Sequence, residues 1–218
     1  MEITIAITGA SGAIYPVRLL KHLSAEPQIS GIYVVASAAR LRVMHEELNM
    51  GPVSLKSLAE KVTDGNSQKI TVLNNNDIGA RIASGSYPVD AMVIIPCSMG
   101  TLGSIAHGIS RDLIQRAADV ILKERRKLLL ITRDTPLNLI HLENMKMVTL
   151  AGGIVFPAVP SFYHRPVSLE EAVDQFLYRV MQHLGLKRVN FNCWSIHISP
   201  VIRWRKSKRK INLQIIFL

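Results

Sequence analysis

The stretch Ile3-Thr4-Ile5-Ala6-Ile7-Thr8, running directly into Gly9-Ala10-Ser11-Gly12, decides how this chain is read. A short, β-branched run of this kind suits a strand. Beyond the glycines, Ile14, Val17, Leu20 and Leu23 recur at helical spacing, so the unit is strand, glycine turn, helix. The same order returns downstream. A second strand is expected over 31–37, followed by a helix over 38–48 with Leu41, Met44 and Leu48 on one face. A less regular stretch follows, with a short helix at 55–62, a strand at 70–73 and a polar turn at Asn74-Asn75-Asn76-Asp77. Residues 91–96 are a continuous apolar run, as expected of a strand buried on both faces. Helix-like sequence begins at Ser98, and 112–123 places Leu113, Ala117, Val120 and Ile121 on one side. A strand at 128–132, a helix at 139–150, a strand at 153–156 and a long helix at 169–184 complete the pattern. Strands alternating with helices predict a doubly wound parallel sheet.

The chain has 218 residues, 48% of them hydrophobic and 19% charged, which excludes a disordered polypeptide and allows a sizeable core. No apolar run is long enough for a membrane span. The opening MEITIAIT carries no basic stretch ahead of its apolar residues, so no secretory signal is expected. With only Cys97 and Cys193, neither a disulfide framework nor a CxxC zinc site is expected, and a reducing, cytoplasmic setting follows. The net charge of +10 suggests nucleic acid until it is mapped. Eight Lys and Arg and no acid fall in 187–218, leaving 18 basic against 16 acidic residues over 1–186. The basicity thus belongs to a C-terminal tail, 187–218, and not to the domain over 1–186; no nucleic-acid partner is expected.

In an open parallel sheet, ligands sit beyond the C-terminal strand ends. Three junctions there carry suitable residues. Gly9, Ala10, Ser11 and Gly12 offer backbone amides and a hydroxyl to an anion. Ser98, Met99, Gly100 and Thr101 follow the buried strand, where Ser98 and Thr101 could equally serve as a helix cap. Cys97, beside them, reads as a small buried apolar residue more readily than as a nucleophile. Arg133-Asp134-Thr135-Pro136 places a guanidinium, a good phosphate ligand, at a third strand end. With Lys123, Arg179 and Phe162-Tyr163-His164-Arg165, these junctions describe a phosphate-binding crevice. A dinucleotide dehydrogenase fails on three counts: Tyr15 occupies the third glycine position, no acid follows the second strand, and no Tyr has Lys four residues on. No acidic cluster or histidine spacing points to a metal.

The strings TGASGAIY (8–15), SGSYPVDAMVIIPCSMGTL (84–102), RAADVILKERRKLLLITRDTPL (116–137), IHLENM (140–145) and FYHRP (162–166) closely resemble the UbiX family of flavin prenyltransferases. The resemblance is collinear from residue 2 to about 186. It implies an α/β, Rossmann/flavodoxin-like three-layer fold in homo-oligomers, commonly dodecamers. It implies FMN as the flavin and transfer of a dimethylallyl group from dimethylallyl phosphate or pyrophosphate to reduced FMN, without metal. The prenylated FMN would serve a UbiD-type decarboxylase. Carried over by position, FMN contacts fall on Gly9, Ala10, Ser11, Ser37, Ser98, Met99, Gly100, Thr101 and Arg133. Prenyl-phosphate contacts fall on Lys123, Tyr163 and Arg179, and catalytic roles on Ser11, Glu47 and Asp134. Asp134 stands where the family has Glu in its Arg-Glu-x-Pro motif. The tail departs as well, with Arg203-Trp204 farther along than the family's usual Arg-Trp pair and Trp194 nearer that distance. Two other functions stay open at this point: an FMN-dependent decarboxylase of the related FMN/Cys type, and a non-catalytic FMN-binding subunit.

Overall fold

The computed structural model describes residues 1–48, 54–63, 67–162 and 164–186. Six strands, β1 (Glu2–Ile7), β2 (Gly31–Ala36), β3 (Ile70–Leu73), β4 (Ala91–Cys97), β5 (Lys127–Thr132) and β6 (Ile154–Val155), form one sheet in the order β3-β2-β1-β4-β5-β6. Every pairing is parallel. Seven helices are described: α1 (Ile14–Ala25), α2 (Ala38–Leu48), α3 (Leu55–Val62), α4 (Met99–Ala106), α5 (Leu113–Lys123), α6 (Leu139–Leu150) and α7 (Leu169–Leu184). The doubly wound α/β fold expected from the alternating pattern is therefore present, element by element. The tail over 187–218, with Trp194 and Arg203-Trp204, lies outside the described residues.

Alternation along the strands sends side chains into two cores. Ile3, Ile5 and Ile7 of β1 join Leu19, Leu20 and Leu23 of α1 and Val173, Phe176, Leu177 and Val180 of α7 on one face. Ala6, Met92 and Ile94 meet α4 and α5 on the other through Leu102, Ile105, Leu113, Ala117 and Ile121. Complete burial of each aliphatic side chain contributes about 1.5–3 kcal/mol, so these two layers dominate the folding free energy. The alternation slips once. Ile95 faces the first core and Cys97 the second, across a register irregularity between Ile94 and Cys97 where Pro96 has no N–H to give the ladder.

Helix starts follow local side chains: Asp112, Asn138 and Ser168 cap α5, α6 and α7 by accepting from the amides of Gln115, His141 and Glu171. α1 has no such cap of its own. β6 is shorter than the strand expected over 153–156, because Gly153 is still turning, its amide bonded to Val148 O. Pairing nevertheless runs on through loop, with Phe156 and Ala158 donating to Leu130 and Thr132. This carries 156–158 alongside the end of β5. Among the described residues no helix is long and apolar enough to cross a membrane.

Candidate active site

β1 and β4 are neighbours whose following helices leave on opposite faces, α1 into one core and α4 into the other. A crevice opens between such strand ends, where doubly wound sheets bind ligands. Thr8 and Ser98 face each other across it. Thr8 Oγ1 accepts the Ser98 amide at 2.8 Å and donates to Pro96 O at 2.9 Å. Sequence reasoning passed over Thr8; its signal was a hydroxyl residue between the first strand and the glycine turn.

The glycine turn is shaped by close approach. A Cβ on Gly9 would stand 3.0 Å from Ala39 Cβ at the start of α2. Gly12 has φ +111°, and a Cβ there would meet the Tyr15 ring at 2.9 Å. The turn's amides are divided between two tasks. Gly12 N donates to both Glu47 carboxylate oxygens, at 3.1 and 2.9 Å, and Ala13 N to Glu47 Oε2 at 2.6 Å. Glu47, from the end of α2, thus supplies the missing cap of α1 and places a negative charge on its N-terminus. Partial desolvation works against that charge. The hydrogen bonds from Ala13, Ser11 and Gly12 and the nearby Arg40 outweigh it, holding the Glu47 carboxyl below its ordinary value. The amides expected to receive an anion at the helix start are therefore already occupied. Among the described residues, the Gly9 and Ser11 amides make no hydrogen bond.

Ser37, at the end of β2, gives its amide to Ile7 O at 3.0 Å, while its buried Oγ has no partner among the described residues. Ser98 caps α4: its Oγ accepts the Thr101 amide at 3.3 Å and lies 3.0 Å from Thr101 Oγ1. Met99 is buried, whereas Gly100 is exposed with open space where a Cβ would stand. The capping reading of this junction is met by Ser98, while Met99 lines a neighbouring hollow.

Arg133, Asp134 and Met99 line a hollow of about 300 Å³ with Thr132, Met145 and Pro157. A second hollow of about 310 Å³, lined by Phe156, Ser161, Phe176 and Arg179, adjoins it and shares Pro157 and Val159. Aromatic edges connect them to the glycine turn: Tyr15 meets Phe176 edge-on at 5.4 Å between ring centres, and Phe176 meets Phe156 at 5.4 Å. Burial pushes the Tyr15 phenol up, with the charge of Arg133 pulling part of the way back. Asp134 is exposed and accepts the amide of Thr135 at 2.9 Å.

Of the expected residues, Lys123 does not join this group. Lys123 pairs with Glu124 and lies against Gly85, ahead of β5. Arg133 follows β5, and six residues of strand span roughly 20 Å, so the two lie at opposite ends of the sheet. Tyr163 lies outside the described residues. Cys97 is fully buried, its thiol contacts Ser98 O at 3.6 Å, and burial pushes its pKa up to about 12. A thiol so placed is not a nucleophile at neutral pH. Among the described residues no group of three His, Cys, Asp or Glu side chains is gathered to hold a metal ion.

The Flavoprotein family matches residues 1–173, and the chain belongs to it. Within that class it belongs to the UbiX flavin prenyltransferases and is a transferase enzyme. The flavin prenyltransferase UbiX of Methanothermobacter thermautotrophicus is 42% identical over 193 residues, covering 88% of this chain and 95% of the relative. The crystal structure of AnUbiX (PadA1) in complex with FMN and dimethylallyl pyrophosphate superposes with a TM-score of 0.77 at 37% identity, covering 88% and 96% of the two chains. The dodecameric FMN-dependent UbiX-like decarboxylase from Escherichia coli O157:H7 does so at 0.79 with 36% identity, covering 89% and 99%.

Proposed function

We propose that this enzyme transfers a dimethylallyl group from dimethylallyl phosphate or pyrophosphate to reduced FMN, making prenylated FMN for a UbiD-type decarboxylase. The observation that carries the reading is the convergence of the Gly9–Ser11 turn, Ser37 and the Ser98–Thr101 turn on one crevice. Arg133 stands at its mouth, and Arg179 lines the adjoining aromatic hollow.

The chain's groups fit FMN. The buried, unpartnered Ser37 Oγ and the free Gly9 and Ser11 amides are donors suited to its phosphate, and Gly9 lets that phosphate approach the backbone. Reduced FMN, when bound, supplies the nucleophile that takes the prenyl group. The protein does the rest. Arg179, exposed beside Phe156 and Phe176, binds the leaving phosphate and stabilises the charge that collects on it. The aromatic walls exclude water and steady the allylic cation through their π faces. Ser11 passes a proton at its hydroxyl, oriented by its hydrogen bond to Glu47. A carboxyl held below its ordinary value is a weak base, so Glu47 orients Ser11 and caps α1 and does not store the proton.

Lys123 reaches a prenyl phosphate only from a second copy of the chain, since in its own copy it sits at the far end of β5. A homo-oligomer, dodecameric as expected from the resemblance, also accounts for α6. Leu139, Ile140 and Leu150 are 71%, 69% and 78% exposed on that helix, apolar side chains at its two ends that association would cover. A cytoplasmic location suits a reduced-flavin substrate. The decisive experiment is anaerobic incubation with reduced FMN and dimethylallyl phosphate, followed by mass spectrometry of the flavin. The flavin should gain the mass of one dimethylallyl group less one hydrogen; unaltered FMN with this donor and, in a parallel incubation, with dimethylallyl pyrophosphate would refute the reaction.

A further inference from the structure

Arg40 is the largest fully buried side chain of the described residues and has 0% exposure. It lies beneath the glycine turn in the first part of α2. Its Nη1 donates to Ala10 O at 3.2 Å, while Nε and Nη2, also buried, have no hydrogen-bond partner among the described residues. Burial lowers its pKa to about 10, so it remains charged at neutral pH, and Glu47 is the anion that supports it. Arg40 and Glu47 are seven residues apart, two helical turns, and so share one face of α2. That face grips the turn at both ends: the cation takes the carbonyl of Ala10, and the anion takes the amides of Gly12 and Ala13.

A buried guanidinium with two idle donors is a costly way to fill space, and an apolar side chain of similar volume is often as stable or more so. Its presence calls for something that packing does not provide. We propose that Arg40 is a positioning residue for the flavin-binding turn, holding Ala10 and Glu47 so that Gly9 and Ser11 keep their amides turned to the ligand. The assignment presupposes that this turn is the FMN site. Arg40 touches no substrate; it acts through Glu47 and the backbone.

Hydrogen exchange of the flavin-free protein tests it separately from FMN binding. In Arg40→Met the hydrogen-bonded amides of the turn, Ala10, Gly12 and Ala13, should exchange on the order of tenfold faster, with the strands of the sheet unchanged. The thermal midpoint should stay level or rise, as expected when a strained buried charge is removed. Glu47→Gln should release the same amides, and adding Arg40→Met to it should change exchange less than twofold, because the two act as one unit. Arg40→Lys, which keeps the charge, should recover part of the protection. Should Arg40→Met not accumulate as folded protein, Arg40→Lys against Arg40→Gln makes the same comparison. Equal protection of the Ala10, Gly12 and Ala13 amides in Arg40→Met and parent, or a full additional effect in the Glu47→Gln background, would overturn the proposal. Failure of the parent protein to bind FMN in a parallel titration would instead overturn the flavin assignment of the turn and leave the exchange result to decide on Arg40.

Discussion

Thr8 and Ser98 are joined by a 2.8 Å hydrogen bond between the ends of two neighbouring strands whose following helices leave on opposite faces of the sheet. One hydroxyl serves both sides of the crevice, accepting from the Ser98 amide and donating to the Pro96 carbonyl. Thr8→Val preserves shape and removes both bonds, stranding a partly buried amide. The expected cost is about 1–3 kcal/mol in denaturant unfolding, with weaker FMN binding because the two floors of the site are no longer tied. A variant as stable as the parent would show that water replaces the hydroxyl at no loss.

Asp174 of α7 is held by Arg18 and by His22 Nε2 at 2.9 Å, both from α1, clamping the two helices that cover one face. Burial raises the Asp174 carboxyl, but the bonds from Arg18 and His22 together outweigh it and leave it below its ordinary value. A carboxyl depressed in the folded state contributes stability above its unfolded pKa. That contribution is lost as pH falls through the folded value. Asp174→Asn should therefore lower the unfolding midpoint at neutral pH and narrow its gap to the parent in acid. A gap independent of pH down to strongly acidic solution would remove the ion pair from the account.

Cys97 should resist alkylation in the native fold, since its thiol is buried and its pKa is pushed up to about 12. Peptide mapping after iodoacetamide treatment should find it unmodified until denaturant is added. Cys97→Ala should keep prenyl transfer and lose modest stability, on the order of 1 kcal/mol for a small cavity. Abolished activity in a folded Cys97→Ala protein would revive a cysteine-based reaction.

Lys123 and Arg179 lie on different parts of the chain's surface, and the proposed oligomer brings them to one phosphate from two copies. Lys123→Ala and Arg179→Ala should each transfer prenyl groups poorly. Denaturing and refolding the two together should recover a measurable fraction of activity, because mixed assemblies contain some intact sites. No recovery in mixed oligomers, verified by mass, would place both residues in the same copy's site or outside it.

The strands were legible where their burial was uniform. Residues 91–96 are apolar throughout because β4 is central and covered on both faces, and helices such as α1 and α5 announced themselves by the spacing of their apolar residues. The strand-end residues of the site were legible because topology places every such end at one edge of the sheet. Arg40 was not. In sequence it reads as one more charge on the polar side of a short helix, and only the packing of α2 under the glycine turn buries it. Glu47 as the cap of α1 was hidden for the same reason: the cap is remote, and local sequence announces only near ones. Lys123 shows a different limit, because motif spacing carries no information about which copy of the chain a residue would serve.

Asp134 is the residue at which this chain parts from the motif of its family, and the geometry sharpens what that difference does. It lines the hollow beside Arg133, is exposed, and spends one carboxylate oxygen on the amide of Thr135. Glutamate at this position would extend one methylene farther into the hollow. If the carboxylate handles a proton or steadies the allylic cation, the shorter arm should show in the chemical step and leave FMN affinity nearly unchanged. Asp134→Glu should then keep or raise the single-turnover rate, and Asp134→Asn should slow it by about 10²-fold or more. The competing role is local. Bonding the Thr135 amide stabilises the turn ahead of Pro136, and asparagine can do that nearly as well. The two roles therefore separate on one measurement. An Asp134→Asn protein that transfers the prenyl group as fast as the parent, with equal FMN affinity, leaves Asp134 only the turn.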